Sequence, residues 1–274
     1  MMDQCCPPVL AQEAGHWQRY AGHWSKVAPP LCPHADDLSV YARELDARVP
    51  TLLLGVTPQI VALDYLHGVA VDRNLDMIQA HPPAPDRWRV LQANWLALPL
   101  SVGAVGQAVG DGVLSMLHYP HDYLRLFKEL RRVIRSGGNC VLRLFVAPEQ
   151  SETVHDICAD LVAGNIGNFH VLKWRLMMSL CSADTAYKVR VTDALALFNQ
   201  HFTDRAALLR LTGWPADVYD TIDVYQGSDL AFSFVPRSAL DALFGQFAKS
   251  VSYYTGSYAL AERCPIVVLQ GLHS

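Results

Sequence analysis

From Pro50 onward the chain alternates short apolar runs with stretches of helical periodicity, and this rhythm restricts the fold more than any other feature of the sequence. TLLL (51–54), GVAVD (68–72), WRVLQAN (88–94), AVGQAVGD (104–111) and CVLRLFV (140–146) read as strands, while PQIVALDYL, NLDMIQAH and DYLRLFKELRRVIR between them read as helices. Strands that alternate with helices build a parallel sheet, because a parallel connection needs a crossover long enough to hold a helix. Right-handed crossovers then place helices on both faces, giving a doubly wound, mostly parallel α/β sheet. The Gly137-Gly138 pair after ELRRVIRS reads as the stop of the last of these helices.

The flanks have another texture. Residues 1–49 hold WQRYAGHW, a proline-rich turn and DDLSVYARELDARV, whose Leu38, Tyr41, Ala42, Leu45 and Val49 share one helical face, and we assign this part as an N-terminal helical lid. The sheet core spans 50–150. Residues 151–226 carry helical periodicity throughout and read as an insertion between the fifth and sixth strands. Residues 227–274, with DLAFSFVP and PIVVLQ, read as C-terminal strands completing a seven-stranded sheet.

Composition narrows the function classes. With 51% hydrophobic and 18% charged residues among 274, the chain can bury a large core and is not of disordered type. A net charge of -4 offers no basic face for nucleic acid. Seven cysteines without a CxxC pair argue against a disulfide framework or a zinc ribbon and fit a reducing cytoplasm. MMDQCCPPVL lacks the basic start and apolar run of a signal peptide. The uncharged stretch between Arg89 and Asp111 is interrupted by Gln92, Asn94, Pro99 and glycines, so it reads as two strands and a loop rather than a membrane span. Oligomeric state is not legible.

In doubly wound sheets ligands bind beyond the carboxyl ends of the strands. Here those ends are Gly55 to Thr57, Asp72, Asn94-Trp95 and Asp111-Gly112. Asp72 is placed to accept both hydroxyls of a ribose, or simply to cap a helix. Asn94 offers an adenine edge a donor and an acceptor, or makes a turn; Trp95 offers a flat face or packs in the core. A pyrophosphate loop needs more glycine than LLLGVTP supplies, and no GK[ST] is present. Thr57 as N-cap and Pro58 at the first helical position could instead open a helix toward a carboxylate. An adenosine joined to an amino acid would suit such a site.

The ordered set LLLGVTP, VAVDRNLDMI, LQANWLALPL, GDGVLSMLHYP and LFKELRRVIRSGGNCVLRLF resembles the class I S-adenosylmethionine-dependent methyltransferases of Rossmann-like form. The resemblance implies S-adenosyl-L-methionine as cofactor, held by Gly55, Val56 and Thr57 at its methionine end, Asp72 at the ribose, and Arg73, Asn94 and Trp95 around the adenine. Asp111, Gly112 and Val113 would lie beneath the reactive methyl group. It departs from the family's glycine-rich first motif, which is reduced to Gly55, and has Asn94 where an acid is usual.

For catalysis His118 and Tyr119 are the candidates nearest the fourth strand, with a surface loop as the alternative. His118 and His121 lack a third ligand nearby, so no metal is expected. Trp17, Tyr20 and Trp24 lie at helical spacing, as lid or core, and Lys173, Trp174 and Arg175 would meet an acidic substrate or form a solvated helix face. The expectation is a cytoplasmic methyltransferase acting on a small-molecule acceptor. The alternatives are a non-catalytic S-adenosylmethionine-binding or nucleoside-binding protein, an aminopropyl transferase-like enzyme and, more remotely, a nicotinamide oxidoreductase.

Overall fold

The computed structural model describes residues 8–272, with side chains from residue 15 onward. The sequence reading of MMDQCC, including Cys5 and Cys6, lies outside the described residues. In chain order the helices are α1 (Pro8–Gly22), α2 (Ala35–Glu44), α3 (Pro58–Val61), α4 (Leu75–Ala80), α5 (His121–Val133), α6 (Val154–Val162), α7 (Phe169–Ser179), α8 (Val191–His201), α9 (Arg205–Thr212), α10 (Asp220–Asp223) and α11 (Arg237–Phe244). The strands are β1 (Thr51–Leu54), β2 (Gly68–Asp72), β3 (Trp88–Gln92), β4 (Val105–Asp111), β5 (Ile134–Arg143), β6 (Lys188–Arg190), β7 (Ala231–Ser233), β8 (Ala248–Tyr254) and β9 (Ile266–Leu272).

Every residue of β1 is buried, because the strand has a parallel neighbour on each side and a helical layer on each face. Leu52 and Leu54 enter the layer that holds α5 and α11, and Leu53 the layer that holds α2 and α4. The period of two therefore survives inside a continuous apolar run. Seven strands make the main sheet in the order β3-β2-β1-β4-β5-β9-β8. The first five are parallel and β9 runs antiparallel to both of its neighbours. This is a doubly wound α/β sheet of the expected class.

α5 shows how sequence sets the layer. Tyr123, Leu126, Phe127, Leu130 and Val133 fall on one face and are buried against the sheet, while Arg125 and Lys128 stay outside. α7 is different. All of Phe169 to Met178 is buried, since this helix is the centre of a second core built from α6, α8 and the segments around Tyr219 and Phe232. That core caps the carboxyl end of the sheet.

Three readings of local structure are corrected. DLAFSFVP does not join the main sheet: β7 pairs antiparallel with β6 in a separate two-stranded sheet, and Phe232 and Phe234 stand edge-on to Trp174 at 5.4 and 5.2 Å. Its apolar residues announced burial, but in the cap. The sheet edge goes instead to β8, whose exposed Lys249 and Ser250 hide a strand from a hydrophobicity pattern. The cap segment therefore reaches from β5 through β7, and α11 returns to the sheet layer. Gly137-Gly138 does not stop a helix either; α5 ends at Val133, and the glycines lie within β5 where its register with β4 shifts. Finally, the helix after Pro58 is one turn long rather than running through Leu66.

Candidate functional site

The parallel strands deliver their carboxyl ends to one edge, and there the loops open into a single cavity. Gly55, Val56, Thr57, Asp72, Arg73, Asn94, Trp95, Asp111 and Gly112 all line it. Val113 does not: it is buried in the sheet core beneath Gly110, whose added Cβ would meet Val113 Cγ2 at 2.5 Å. His118 and Tyr119 are not brought to the cavity. His118 is exposed with Nε2 3.3 Å from Lys188 Nζ, and Tyr119 packs edge-on to Tyr123 and Tyr187.

Gly55 ends β1 with φ +90°, a conformation that L side chains avoid. Its N–H donates to the Val71 carbonyl at 2.9 Å, and the Trp95 indole N–H donates to the same oxygen at 2.7 Å. One carbonyl thus ties the ends of β1 and β2 to the loop after β3. Trp95 is half-buried, packs on the sheet core and also lines the cavity. Asn94 does the same: its Oδ1 accepts from the Leu96 N–H at 2.9 Å in a turn, while the residue remains on the cavity wall.

Asp72 sits at the end of β2, 9% exposed, and Oδ1 accepts from the Asn74 N–H at 2.8 Å. Burial raises its carboxyl above the usual range, against the backbone N–H groups of Asn74, Val56 and Arg73 and the Arg73 charge, which favour the ionised form. A buried carboxylate with backbone donors on one side and a cavity on the other is well made to accept hydroxyl donors. The reading of Thr57 and Pro58 as a helix start for a carboxylate is weakened, because α3 has one turn and Thr57 makes no side-chain cap bond. So short a helix has little dipole to offer.

Asp111 ends β4 but is not a free acid. Arg143, directly across on β5 and fully buried, reaches its Oδ1 at 2.5 Å and Asp37 Oδ2 at 3.2 Å. The same guanidinium donates to the carbonyls of Pro30 and Cys32. Burial raises the Asp111 carboxyl and Arg143 opposes that shift. Gly112 follows with φ +62°, and an added Cβ there would lie 2.6 Å from the Phe145 ring.

The far wall comes from segments that no strand motif marks. His16, Trp17, Tyr20 and Trp24, from the end of α1 and the turn after it, line the cavity together with Phe145, Trp174, Tyr225 and Phe232 of the cap. Trp17, Tyr20 and Trp24 pack edge-on along the row at 5.7 and 6.0 Å, so they serve as core and cavity wall at once. His16 is stacked between Tyr20 and Tyr225 and pairs with Ser228 Oγ through Nδ1 at 3.1 Å. Burial, with Arg19 and Lys173 adding to it, pushes this imidazole down to about 3. The Lys173-Trp174-Arg175 trio is neither solvated nor turned to a substrate as a charge patch. Lys173 Nζ is fully buried and donates to the Thr221 carbonyl at 2.9 Å, and Arg175 pairs with Glu152 and Asp160. Trp174 alone reaches the cavity.

Among the described residues no group of three or more His, Cys, Asp or Glu side chains converges as a metal site requires, and no helix is long and apolar enough to cross a membrane.

No family model and no curated relative matches the chain. Solved structures do. A SAM-dependent methyltransferase of Methanosarcina mazei is 14% identical, with 89% of this chain and 100% of that chain covered at a TM-score of 0.51. A protein of Thermotoga maritima, described as a SAM-dependent methyltransferase and possible histamine N-methyltransferase, is 10% identical over 93% and 98% of the two chains, with a TM-score of 0.53. A Rhodobacter sphaeroides protein provisionally named among Zn-dependent alcohol dehydrogenases is 11% identical over 95% and 98%, with a TM-score of 0.59. Together with the strand order, the two methyltransferase neighbours show that the chain has the class I S-adenosylmethionine-dependent methyltransferase fold, which by itself assigns no activity.

Proposed function

We propose that this protein is an S-adenosylmethionine-dependent methyltransferase with a small-molecule acceptor. The observation that carries the reading is the convergence of four strand ends, Gly55 to Thr57, Asp72-Arg73, Asn94-Trp95 and Asp111-Gly112, on one cavity roofed by a separate cap. The cofactor, when bound, supplies a sulfonium methyl group. Asp72 holds the ribose hydroxyls through its buried carboxylate, and Asn94 with Trp95 borders the adenine. The loop at Gly55 lies nearest the methionine end. The cap excludes water and aligns the acceptor, which is most of what a displacement at a methyl group asks of a protein. His118 and Tyr119 do not line the cavity, so deprotonation by either forms no part of the proposal.

One observation favours a second reading, a binding protein without turnover: the Asp111 carboxylate beneath the reaction centre is committed to Arg143. Labelled methyl transfer into a metabolite extract separates the two. Asp72→Ala is expected to weaken S-adenosylhomocysteine binding roughly 10- to 100-fold, since hydrogen bonds to a charged group are worth about 1.5–3 kcal/mol. Unchanged affinity in calorimetry would remove Asp72 from the ribose site.

A further inference from the structure

We propose that the molecule bound under the cap is an uncharged, flat aromatic compound with one neutral polar substituent. Its role as methyl acceptor rests on the methyltransferase reading, its recognition on the cap alone.

The walls on this side are rings held in fixed relation. Trp174 stands edge-on to Phe145 at 5.2 Å and to Phe232 at 5.4 Å, and His16 is stacked at 5.8 Å on Tyr225. Rings fixed in this way leave a flat space with polarised edges and faces, which suits another ring more than a flexible chain. The charges decide what that ring can carry. Asp111 already shares Arg143, and His16, deep in aromatic surroundings beside Arg19 and Lys173, stays neutral. Arg73 lines the cavity at the end of β2, so among the described residues that line the cap side a carboxylate would meet no cation, at the desolvation cost of an unpaired ion. An ammonium ion would meet ring faces, but no uncommitted carboxylate among the described residues on this side. Moreover, Lys173 Nζ is already 5.3 Å from the Tyr225 ring centroid, so that face is taken by an amine of the protein itself. Tyr20 supplies the polar handle. It lines the cavity with Asp111, and burial, then the nearness of Cys32 and Asp111, keeps its phenol protonated and able to donate.

Calorimetry at pH 7 with 2-naphthol, 2-naphthoate and 2-naphthylmethylammonium, each with and without S-adenosylhomocysteine, tests this. The neutral probe should bind at least tenfold more tightly than either ion. Equal or tighter binding of an ion, or binding of none of the three, would overturn the inference. Met116, half-buried on the same wall, gives a second handle. Met116→Glu, checked for folding by circular dichroism, should weaken 2-naphthol at least tenfold and shift the preference toward the ammonium probe. An unaltered order of preference would contradict the charge argument. If 2-naphthol binds while S-adenosylhomocysteine does not, the methyltransferase reading fails and the recognition by the cap stands; the reverse outcome fails the cap alone.

Discussion

Arg143 joins the sheet, α2, the proline turn and the cavity floor through one side chain. It is fully buried and bonded to Asp111, Asp37, the carbonyls of Pro30 and Cys32 and, at 3.3 Å, the Tyr258 hydroxyl. Removing one member of a buried ion cluster leaves the others charged and unsatisfied, at about 3–5 kcal/mol. Arg143→Met should therefore lower stability by that order in urea unfolding, whereas Arg143→Met combined with Asp111→Asn should recover part of the loss. If the single variant is as stable as the parent, the cluster is not holding the floor in place. Asp72 has a different signature. Because burial raises its carboxyl, protonation begins at a higher pH than for an ordinary aspartate, and the acceptor is lost there. Affinity for S-adenosylhomocysteine should fall on acidification from a pH above the normal carboxylate range, and Asp72→Asn should abolish that dependence.

At the scale of elements, α1 and α7 are each fixed by a histidine that burial keeps neutral. His16 pins α1 to the Ser228 turn, and His170 donates from Nε2 to the Lys26 carbonyl at 2.8 Å; both are pushed down to about 3. A folded-state value below the unfolded one means that the unfolded chain takes up the proton first as pH falls. Stability is then constant with respect to these two groups above about 6.5 and is lost between about 6.5 and 3, at a slope of up to ~1.4 kcal/mol per pH unit for each histidine. Lys173, pushed down to about 7 by burial, acts with the same sign in a more alkaline window. Its folded amine loses the proton earlier than the unfolded one, so stability rises between about 7 and 10.5. Thermal melts from pH 4 to 10 should show both limbs, and His16→Asn should flatten the acid limb. An acid limb that is unchanged in this variant would mean that His16 titrates normally. The elements also show where sequence patterns speak clearly. β1, β2, β4 and α5 were legible because each buries a whole face or both faces. β8 was not, since an edge strand needs few apolar residues, and β7 misled because its phenylalanines serve the cap.

For the molecule as a whole, the strand-end half of the cavity was readable from the chain and the cap half was not. Strand-end positions follow from order along the sequence, so Gly55, Asp72, Asn94 and Asp111 could be placed side by side before any coordinates. Phe145, Tyr225 and Phe232 come together only when α7 is swallowed by a second core, and no local spacing marks them. Arg143 was hidden for a similar reason, as a charge inside an apolar strand whose partners are distant in sequence. The central claim is that these two halves make a cofactor cavity for an adenosyl sulfur compound. Titration calorimetry of the whole chain with S-adenosylhomocysteine, S-adenosylmethionine and NAD measures it most directly. The account predicts saturable binding of both sulfur compounds at one site per chain and no binding of NAD; heat from NAD alone, or from none of the three, would contradict it.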